Sequence, residues 1–320
     1  MKNEIKITID DLYLKHLDTN MQKNNLPSYS KTVEKLIHDS TDEFKGIPFD
    51  KFSINNRRYM GSKAKLLEFI SNSINEVIGS YSSFVDIFSG TGVVGNYFNN
   101  TNTKVISNDL LYSNYITNYA FLSHESFNYN KIDCCINEFN NIKGKENYFS
   151  KHFGDKFFSK DTAKKIGTIR ENIEKLYKKN EINFRERAIL ITSLIYASDK
   201  IANTCGHYDA YRENIDLKDD IFLKHLDIFH DKNSNNEIYN TDSNILFEQL
   251  NYNVDIVYAD PPYNSRQYSS LYHLVENLAR WKKPDVEGKA SKMKNRKELN
   301  SKYCNKTAIE TFEELISNVK

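Results

Sequence analysis

Val254-Asp255-Ile256-Val257-Tyr258-Ala259-Asp260-Pro261-Pro262-Tyr263-Asn264 is an apolar run that ends in an acid, two prolines and an aromatic ring. The run from Val254 to Ala259 is short and rich in β-branched and aromatic residues, which predicts a buried strand. Proline has no N–H and a fixed φ, so Pro261 and Pro262 stop the sheet ladder. The chain therefore breaks off at the carboxyl end of a strand, where ligands bind in open α/β sheets. An acid, a rigid carbonyl-bearing turn and a flat ring suit a planar nitrogen base. Asp260 and the Pro261 carbonyl can accept hydrogen bonds from an exocyclic amine, and Tyr263 can stack on the ring. Alone, the same residues also describe a strand-ending turn with a chance acid and tyrosine, so the surrounding chain has to decide.

Upstream, Ser82-Ser83-Phe84-Val85-Asp86-Ile87-Phe88-Ser89-Gly90-Thr91-Gly92-Val93-Val94-Gly95 reads as strand, glycine loop and helix. The glycines permit a tight turn and close approach of a ligand to the helix start. It is not a phosphate P-loop, which needs a Lys and a Ser or Thr after its last glycine. Thr103 to Leu110 reads as a second strand ending in Asp109, and an acid placed there after a glycine loop holds ribose hydroxyls. Arg57-Arg58-Tyr59-Met60-Gly61-Ser62-Lys63 leads into a helical pattern at Leu66, Leu67, Phe69 and Ile70; Gly61 and Ser62 allow close backbone approach, and Lys63 adds a cation for an anionic group such as a carboxylate.

Residues 111–239 are polar and mostly helical in pattern, with Ile189, Ile191, Leu194, Ile195 and Ala197 as their most apolar stretch. Within them, Asn203 to Arg212 is a distinctive segment whose His207, Tyr208, Tyr211 or Arg212 can be read either as substrate contacts or as structural loop residues. Asp242 ends a further expected short strand. Beyond Tyr263, the stretch from Tyr272 to Trp281 reads as an amphipathic helix, Pro284 to Arg296 as a basic mobile loop, and Phe312, Leu315, Ile316 and Val319 as the start of a last helix.

The first 44 residues form their own pattern. Ile5, Ile7 and Ile9 alternate with Lys6 and Thr8 as in a strand, Asp10 and Asp11 start a helix carrying Leu14, Leu17 and Met21, and Asn24 to Pro27 break it. Ser28 or Ser30 caps a second helix. Strand, helix, helix resembles a ribbon-helix-helix DNA-binding and dimerisation module. The resemblance implies a ribbon paired with that of a second chain, Lys6 and Thr8 facing bases, and a homodimer formed through the strand. Residues 45–56 read as a linker.

The chain has 320 residues and a formal net charge of +1, room for a large core and no overall signature of a polyanion partner, though a local basic face is hidden in such a total. Mean hydropathy is −0.65, and no apolar run reaches the length of a membrane span. Met1 to Ile5 carry no signal-peptide apolar segment. The four cysteines, Cys134, Cys135, Cys205 and Cys304, fit neither a disulfide framework nor a zinc site, so reduced thiols in the cytoplasm and no metal are expected.

In order, Arg58-Tyr59-Met60-Gly61-Ser62-Lys63, Asp86-Ile87-Phe88-Ser89-Gly90-Thr91-Gly92, Asn108-Asp109 and Asp260-Pro261-Pro262-Tyr263 resemble the Dam-like (D12 class) adenine-specific DNA methyltransferases. The continuation from Asn264 through Arg266, Gln267, Tyr268, His273 and Glu276 resembles the FokI/MboII-type restriction–modification subgroup. The resemblance implies a methyltransferase domain over residues 57–320, built as a doubly wound, mostly parallel α/β sheet and incomplete at its C-terminal end, because the family has further strands after the helix near Phe312. It implies S-adenosyl-L-methionine as cofactor, held by Tyr59, Gly61, Lys63 (near the methionine carboxylate), Asp86, Phe88, Ser89, Gly90, Gly92, Asp109, Asp242 and Asp260. It implies that Asp260, Pro261, Pro262 and Tyr263 grip the target adenine and that Arg266 meets DNA. The segment at 111–239 takes the place of a target-recognition insertion. Double-stranded DNA is the implied partner and a cognate restriction endonuclease a companion in the same system. A different function, a transcriptional autoregulator acting through residues 1–44 with the methylase part inactive, remains the alternative at this point.

Overall fold

The structure, a computed structural model, describes residues 11–24, 26–40, 51–204, 206–217, 220–228 and 235–319. They fall into two compact units divided between Lys51 and Phe52. The first holds two helices, α1 (Asp11–Lys23) and α2 (Tyr29–Ser40). Ser28 Oγ accepts the Lys31 amide at 3.3 Å and so caps α2, and the Tyr29 hydroxyl donates to Asp18 at 2.6 Å. The expected strand with Lys6 and Thr8 lies outside the described residues.

The second unit is built on four parallel strands, β1 (Ser83–Asp86), β2 (Lys104–Asn108), β3 (Glu237–Tyr239) and β4 (Ile256–Tyr258), in the order β3-β2-β1-β4. Phe84 pairs with Val105 on one side and Ile256 on the other. Successive side chains leave opposite faces of a strand, and here both faces are apolar, so both need cover. Val85 and Ile106 pack with Leu246, Phe247 and Leu315, whose helices are α10 (Leu246–Gln249) and α13 (Ala308–Asn318). On the other face Phe84 meets Val94 and Phe98 of α4 (Val93–Phe98), and Val105 joins the largest core cluster with Ile116, Ala120 and Leu122 of α5 (Tyr112–Leu122). The helix α3 (Leu67–Val77) also packs, through Leu67, Ile70 and Ile74, on the Phe84 side. Helices thus cover both faces of a parallel sheet, as a doubly wound fold requires.

Between β2 and β3 run α6 (Tyr129–Asn141), α7 (Tyr148–Phe153), α8 (Lys160–Lys178) and α9 (Phe184–Ile201). They do not form a core of their own. Ile169, Ile189, Leu190 and Leu194 share one cluster with Tyr272, Leu274, Val275 and Leu278. Those last residues lie on or beside α11 (Tyr268–Leu271) and α12 (His273–Arg280). The fully buried Arg170 clamps the end of α12, donating to the Leu278 carbonyl at 2.7 Å and the Ala279 carbonyl at 2.9 Å. A cation there satisfies carbonyls that a helix end leaves open. Phe52 and Ile54, from the stretch expected as linker, are buried in this same cluster.

Three expectations need correction. The strand before Asp242 ends at Tyr239; Asp242 instead accepts the Asn244 amide at 3.0 Å and starts a short 3-10 turn. The strand expected from Val254 begins only at Ile256, because Asp255 turns its carboxylate onto Ser82 and Ser83, accepting both amides and both hydroxyls. The basic segment 284–296 is a hairpin of β5 (Val286–Glu287) and β6 (Lys292–Met293), not a mobile loop. It is held by ion pairs of Lys292 with Asp209 and Lys289 with Glu213, by Lys156 Nζ donating to Ser291 Oγ at 2.7 Å, and by burial of Ala290 and Met293. Charge in the sequence concealed partners that arrive from far along the chain.

Candidate active site

Strand ends create the site. After β1 the chain enters the loop Ile87 to Gly92. Ser89 donates its amide to the Asn108 carbonyl at 2.9 Å, which ties the loop to the end of β2. Gly90 and Gly92 have φ of 52° and 81°, left-handed values that a side chain resists. Asn108 spans three segments: its Nδ2 donates to the Ile87 carbonyl at 3.1 Å and the Thr241 carbonyl at 3.2 Å, and its Oδ1 accepts the Thr241 amide at 3.1 Å. The prolines stop β4 at the same level of the sheet.

A cleft with about 1050 Å³ of empty space opens there. Tyr59, Gly61, Lys63, Asp86, Phe88, Ser89, Gly90, Asp109, Asp242, Asp260, Pro261, Pro262 and Tyr263 all line it. Gly92 does not; it stands behind the loop as the N-cap of α4. Arg266 is exposed three residues beyond Tyr263, and its carbonyl accepts from Cys304 Sγ. None of the described residues of the segment 203–212 lines the cleft. Tyr208 is buried and donates to Asp199, and Tyr211 packs edge-on against Phe157.

Two carboxylates stand in the cleft wall, Asp86 buried and Asp109 half-buried. Asp86 is 1% exposed and accepts the Gly95 amide at 3.1 Å. Burial, with a smaller push from Asp109 and Asp260, raises its pKa from the ordinary 3.8 to about 7. Asp109 accepts the Gly90 amide at 2.8 Å on Oδ2, and the Leu111 amide at 2.8 Å and Asn114 Nδ2 at 3.1 Å on Oδ1. Burial lifts it to about 6 against these three donors. A raised carboxylate pKa means that its share of stability is present in full below pH 3.8 and is lost as pH rises through about 7. Asp86→Asn, which keeps an acceptor for Gly95, is therefore expected to raise the melting temperature at pH 8 by several degrees and to lose that advantage near pH 4. Melting curves across that range check it.

Lys63 forms an ion pair with Asp260, donates to the Gly61 carbonyl at 3.0 Å and lies 5.7 Å from the Tyr263 ring centroid. Almost two hundred positions separate Lys63 from Asp260 in the sequence; the fold joins them. Tyr263 itself is 69% exposed, a flat ring presented at the mouth.

Several residues support this lining, and of them the sequence resemblance includes Glu276. Asn118 of α5 braces the glycine loop, donating to Ser89 Oγ and the Gly90 carbonyl, each at 3.1 Å. One turn earlier on the same helix, Asn114 reaches Asp109 and Tyr59. Fully buried Glu276 of α12 accepts the Tyr112 amide at 3.0 Å and the Ser113 amide at 2.8 Å, so it caps α5 and pairs with Arg280. Tyr303 closes a wall by meeting Phe88 edge-on at 5.0 Å. For the asparagines, helical spacing offered the one available sequence signal, and it is a weak one.

The chemistry of the lining is specific. Backbone amides at a glycine turn, a carboxylate for neighbouring hydroxyls and a cation for an anionic end fit a nucleoside-containing ligand. A Cβ on Gly90 would stand 3.3 Å from the Tyr59 ring, so that side of the turn has room for backbone only. Among the described residues no group of His, Cys, Asp and Glu is placed to hold a metal ion, and no helix is long and apolar enough to cross a membrane.

Comparison with known proteins agrees with this chemistry. The family description "D12 class N6 adenine-specific DNA methyltransferase" matches residues 59–319. The modification methylase StsI of Streptococcus sanguinis is 35% identical over 288 residues, covering 82% of this chain and 42% of that protein. The type II methyltransferase M.NlaIII of Neisseria lactamica is 31% identical over 272 residues, covering 81% of this chain and 79% of its own length. M.FokI of Planomicrobium okeanokoites is 34% identical over 270 residues, with 79% and 41% covered. The chain thus spans less than half the length of two of these relatives. No solved structure matches it.

Proposed function

Because the chain belongs to the D12 class of N6 adenine-specific DNA methyltransferases, we propose that it transfers a methyl group from S-adenosyl-L-methionine to N6 of a target adenine in double-stranded DNA, as the modification enzyme of a restriction–modification system. The observation that carries this reading is the meeting of Asp260, Pro261 and Tyr263 with the Gly90 loop and Asp109 in one cleft. When bound, S-adenosyl-L-methionine supplies an electrophilic methyl group. Asp109 would hold its ribose, and Tyr59, Gly61, Asp86, Phe88, Ser89, Gly90 and Asp242, which line the same cleft, would shape its seat.

The target adenine sits inside a duplex and has to be turned out, at a cost of a few kcal/mol. Tyr263, exposed at the mouth, gives the extruded ring a stacking face. Asp260 and the Pro261 carbonyl would accept the two N6 hydrogens, which leaves the N6 lone pair free to act as nucleophile. As N6 becomes cationic, the Asp260 carboxylate stabilises the charge, and the N6 proton leaves along that hydrogen bond. Lys63, ion-paired with Asp260, keeps that carboxylate in place. Positioning of this kind accounts for most of the barrier lowering.

Residues 111–239 contribute target recognition and Arg266 a DNA contact. Residues 1–44 act as a dimerising DNA-binding module; the pair of helices in that stretch is what favours this. A cognate endonuclease is the expected companion. Incubation with methyl-labelled S-adenosyl-L-methionine and DNA of mixed sequence, followed by mapping, is expected to place N6-methyladenine at one short motif. Label on cytosine, on RNA or on protein alone would overturn the reading.

A further inference from the structure

We propose that Asn114 is a positioning residue for the cofactor acid: from α5 it sets the orientation of Asp109 in the cleft, and buried Arg57 in turn sets the orientation of the Asn114 carboxamide. The inference rests on the reading that Asp109 holds the ribose.

Asn114 has no exposed surface. Its Nδ2 donates to Asp109 Oδ1 at 3.1 Å and to the Tyr59 hydroxyl at 3.0 Å, and its Oδ1 accepts from Arg57 Nη1 at 3.1 Å. A guanidinium only donates, so the Asn114 oxygen has to face Arg57, and the amide hydrogens have to face Asp109 and Tyr59. The carboxamide cannot flip without setting donor against donor. Arg57 is itself buried and held on several sides. Its Nε donates to Asp199 at 3.0 Å, and its guanidinium lies 5.4 Å from the Tyr59 ring centroid and 5.7 Å from that of Tyr272. Asp199 also takes the Tyr208 hydroxyl, and the Tyr208 backbone is fixed to the helices after Tyr263, its amide donating to the Leu271 carbonyl at 2.8 Å and its carbonyl bonded to His273.

Asn114 thus stands between a buried cation and a carboxylate and passes polarisation from one to the other, since hydrogen bonds in series strengthen each other in a low-dielectric interior. This explains a residue type that helix propensity disfavours, placed in the first turn of α5 where its side chain reaches the site. The other charged or titratable groups around Asp109 are Asp86 on the β1 side, Glu276 of α12 with its partner Arg280, and Tyr59. The two carboxylates among them disfavour the Asp109 carboxylate, so a donor fixed toward it has a clear task.

The test is calorimetric binding of S-adenosyl-L-methionine to the full chain between pH 5.5 and 8.5. In the wild type, affinity is expected to fall on the acid side as Asp109 takes up a proton. Asn114→Asp keeps the size and the acceptor for Arg57, removes the donor and adds a like charge beside Asp109. It is expected to move that acid limb up by about one pH unit, which weakens binding by close to tenfold near pH 5.5 and by about twofold at pH 7, since each pH unit corresponds to a factor of about ten in proton affinity. If this variant does not fold, Asn114→Ala is expected to move the limb in the same direction by less. An affinity loss equal at every pH, with the limb unmoved, overturns the proposal and leaves Asn114 a packing residue. Asp109→Asn separates the two levels: undiminished affinity in that variant overturns the ribose reading itself, whereas reduced affinity with an unmoved limb in the Asn114 variants overturns only this inference.

Discussion

Alanine in place of Asp260 is expected to lower methyl transfer by at least about a thousandfold, the scale on which a single preorganised group at a charge-developing atom acts. The melting temperature should stay close to that of the wild type, because Asp260 is partly exposed and so is its ion pair with Lys63. Two losses combine in the rate. N6 loses an acceptor, and Lys63 is left as an uncompensated cation next to an atom that is becoming positive. Tyr263→Ala removes a ring that is 69% exposed and holds nothing in the core. Stacking is worth about 1–3 kcal/mol per base, so transfer should fall roughly ten- to a hundredfold with the fold intact. Single-turnover rates with labelled cofactor, taken beside melting curves, measure both. A Tyr263→Ala enzyme with undiminished turnover would sink the stacking role.

The largest expected loss of stability comes from one methyl group. In Gly92→Ala the new Cβ would overlap Asn118 Oδ1 and stand 3.1 Å from its Cγ, at a backbone φ of 81°. The left-handed backbone costs about 1–2 kcal/mol with a side chain, and overpacking a filled site about 1–3 more. Asn118 cannot step aside cheaply, because its Nδ2 is committed to Ser89, Gly90 and the Asn114 carbonyl. Together these predict a loss of about 2–5 kcal/mol, seen as a fall in melting temperature on the order of ten degrees. Gly79→Ala, whose Cβ meets nothing within 4 Å, is the control and should melt like the wild type. The resemblance assigns Gly92 to the cofactor loop, and in the structure it is the N-cap of α4 behind that loop.

The sheet was legible where local chemistry decides it. Strand composition, glycines at a turn and prolines at a stop placed β1, β2 and β4 within a few residues, and the acids at their ends fell into one cleft. Legibility failed where partners come from afar. Val254 left its strand because Asp255 is drawn to Ser82 and Ser83, 173 and 172 positions earlier. The hairpin at 286–293 read as a mobile loop since nothing near Lys292 announces Asp209. Asn114, Asn118 and Arg57 carry no motif, and their bonds cross up to 142 residues. Cofactor-facing groups are read from spacing along a strand end, whereas the groups that steady them are defined only by the packing of α5 on the sheet.

The shared core between α6–α9 and α12 bears on the role in target recognition proposed for residues 111–239. With Arg170 gripping the last carbonyls of α12 and Ile169, Leu190 and Leu194 packed in one cluster with Leu274 and Leu278, residues 112–201 are not a cassette that can be exchanged at two loop junctions. A chimera that imports this region from a relative inherits half an interior and must bring the matching half with it. Divergence of specificity in this lineage should therefore proceed by paired substitutions on both sides of that seam, and recombination breakpoints should fall outside it.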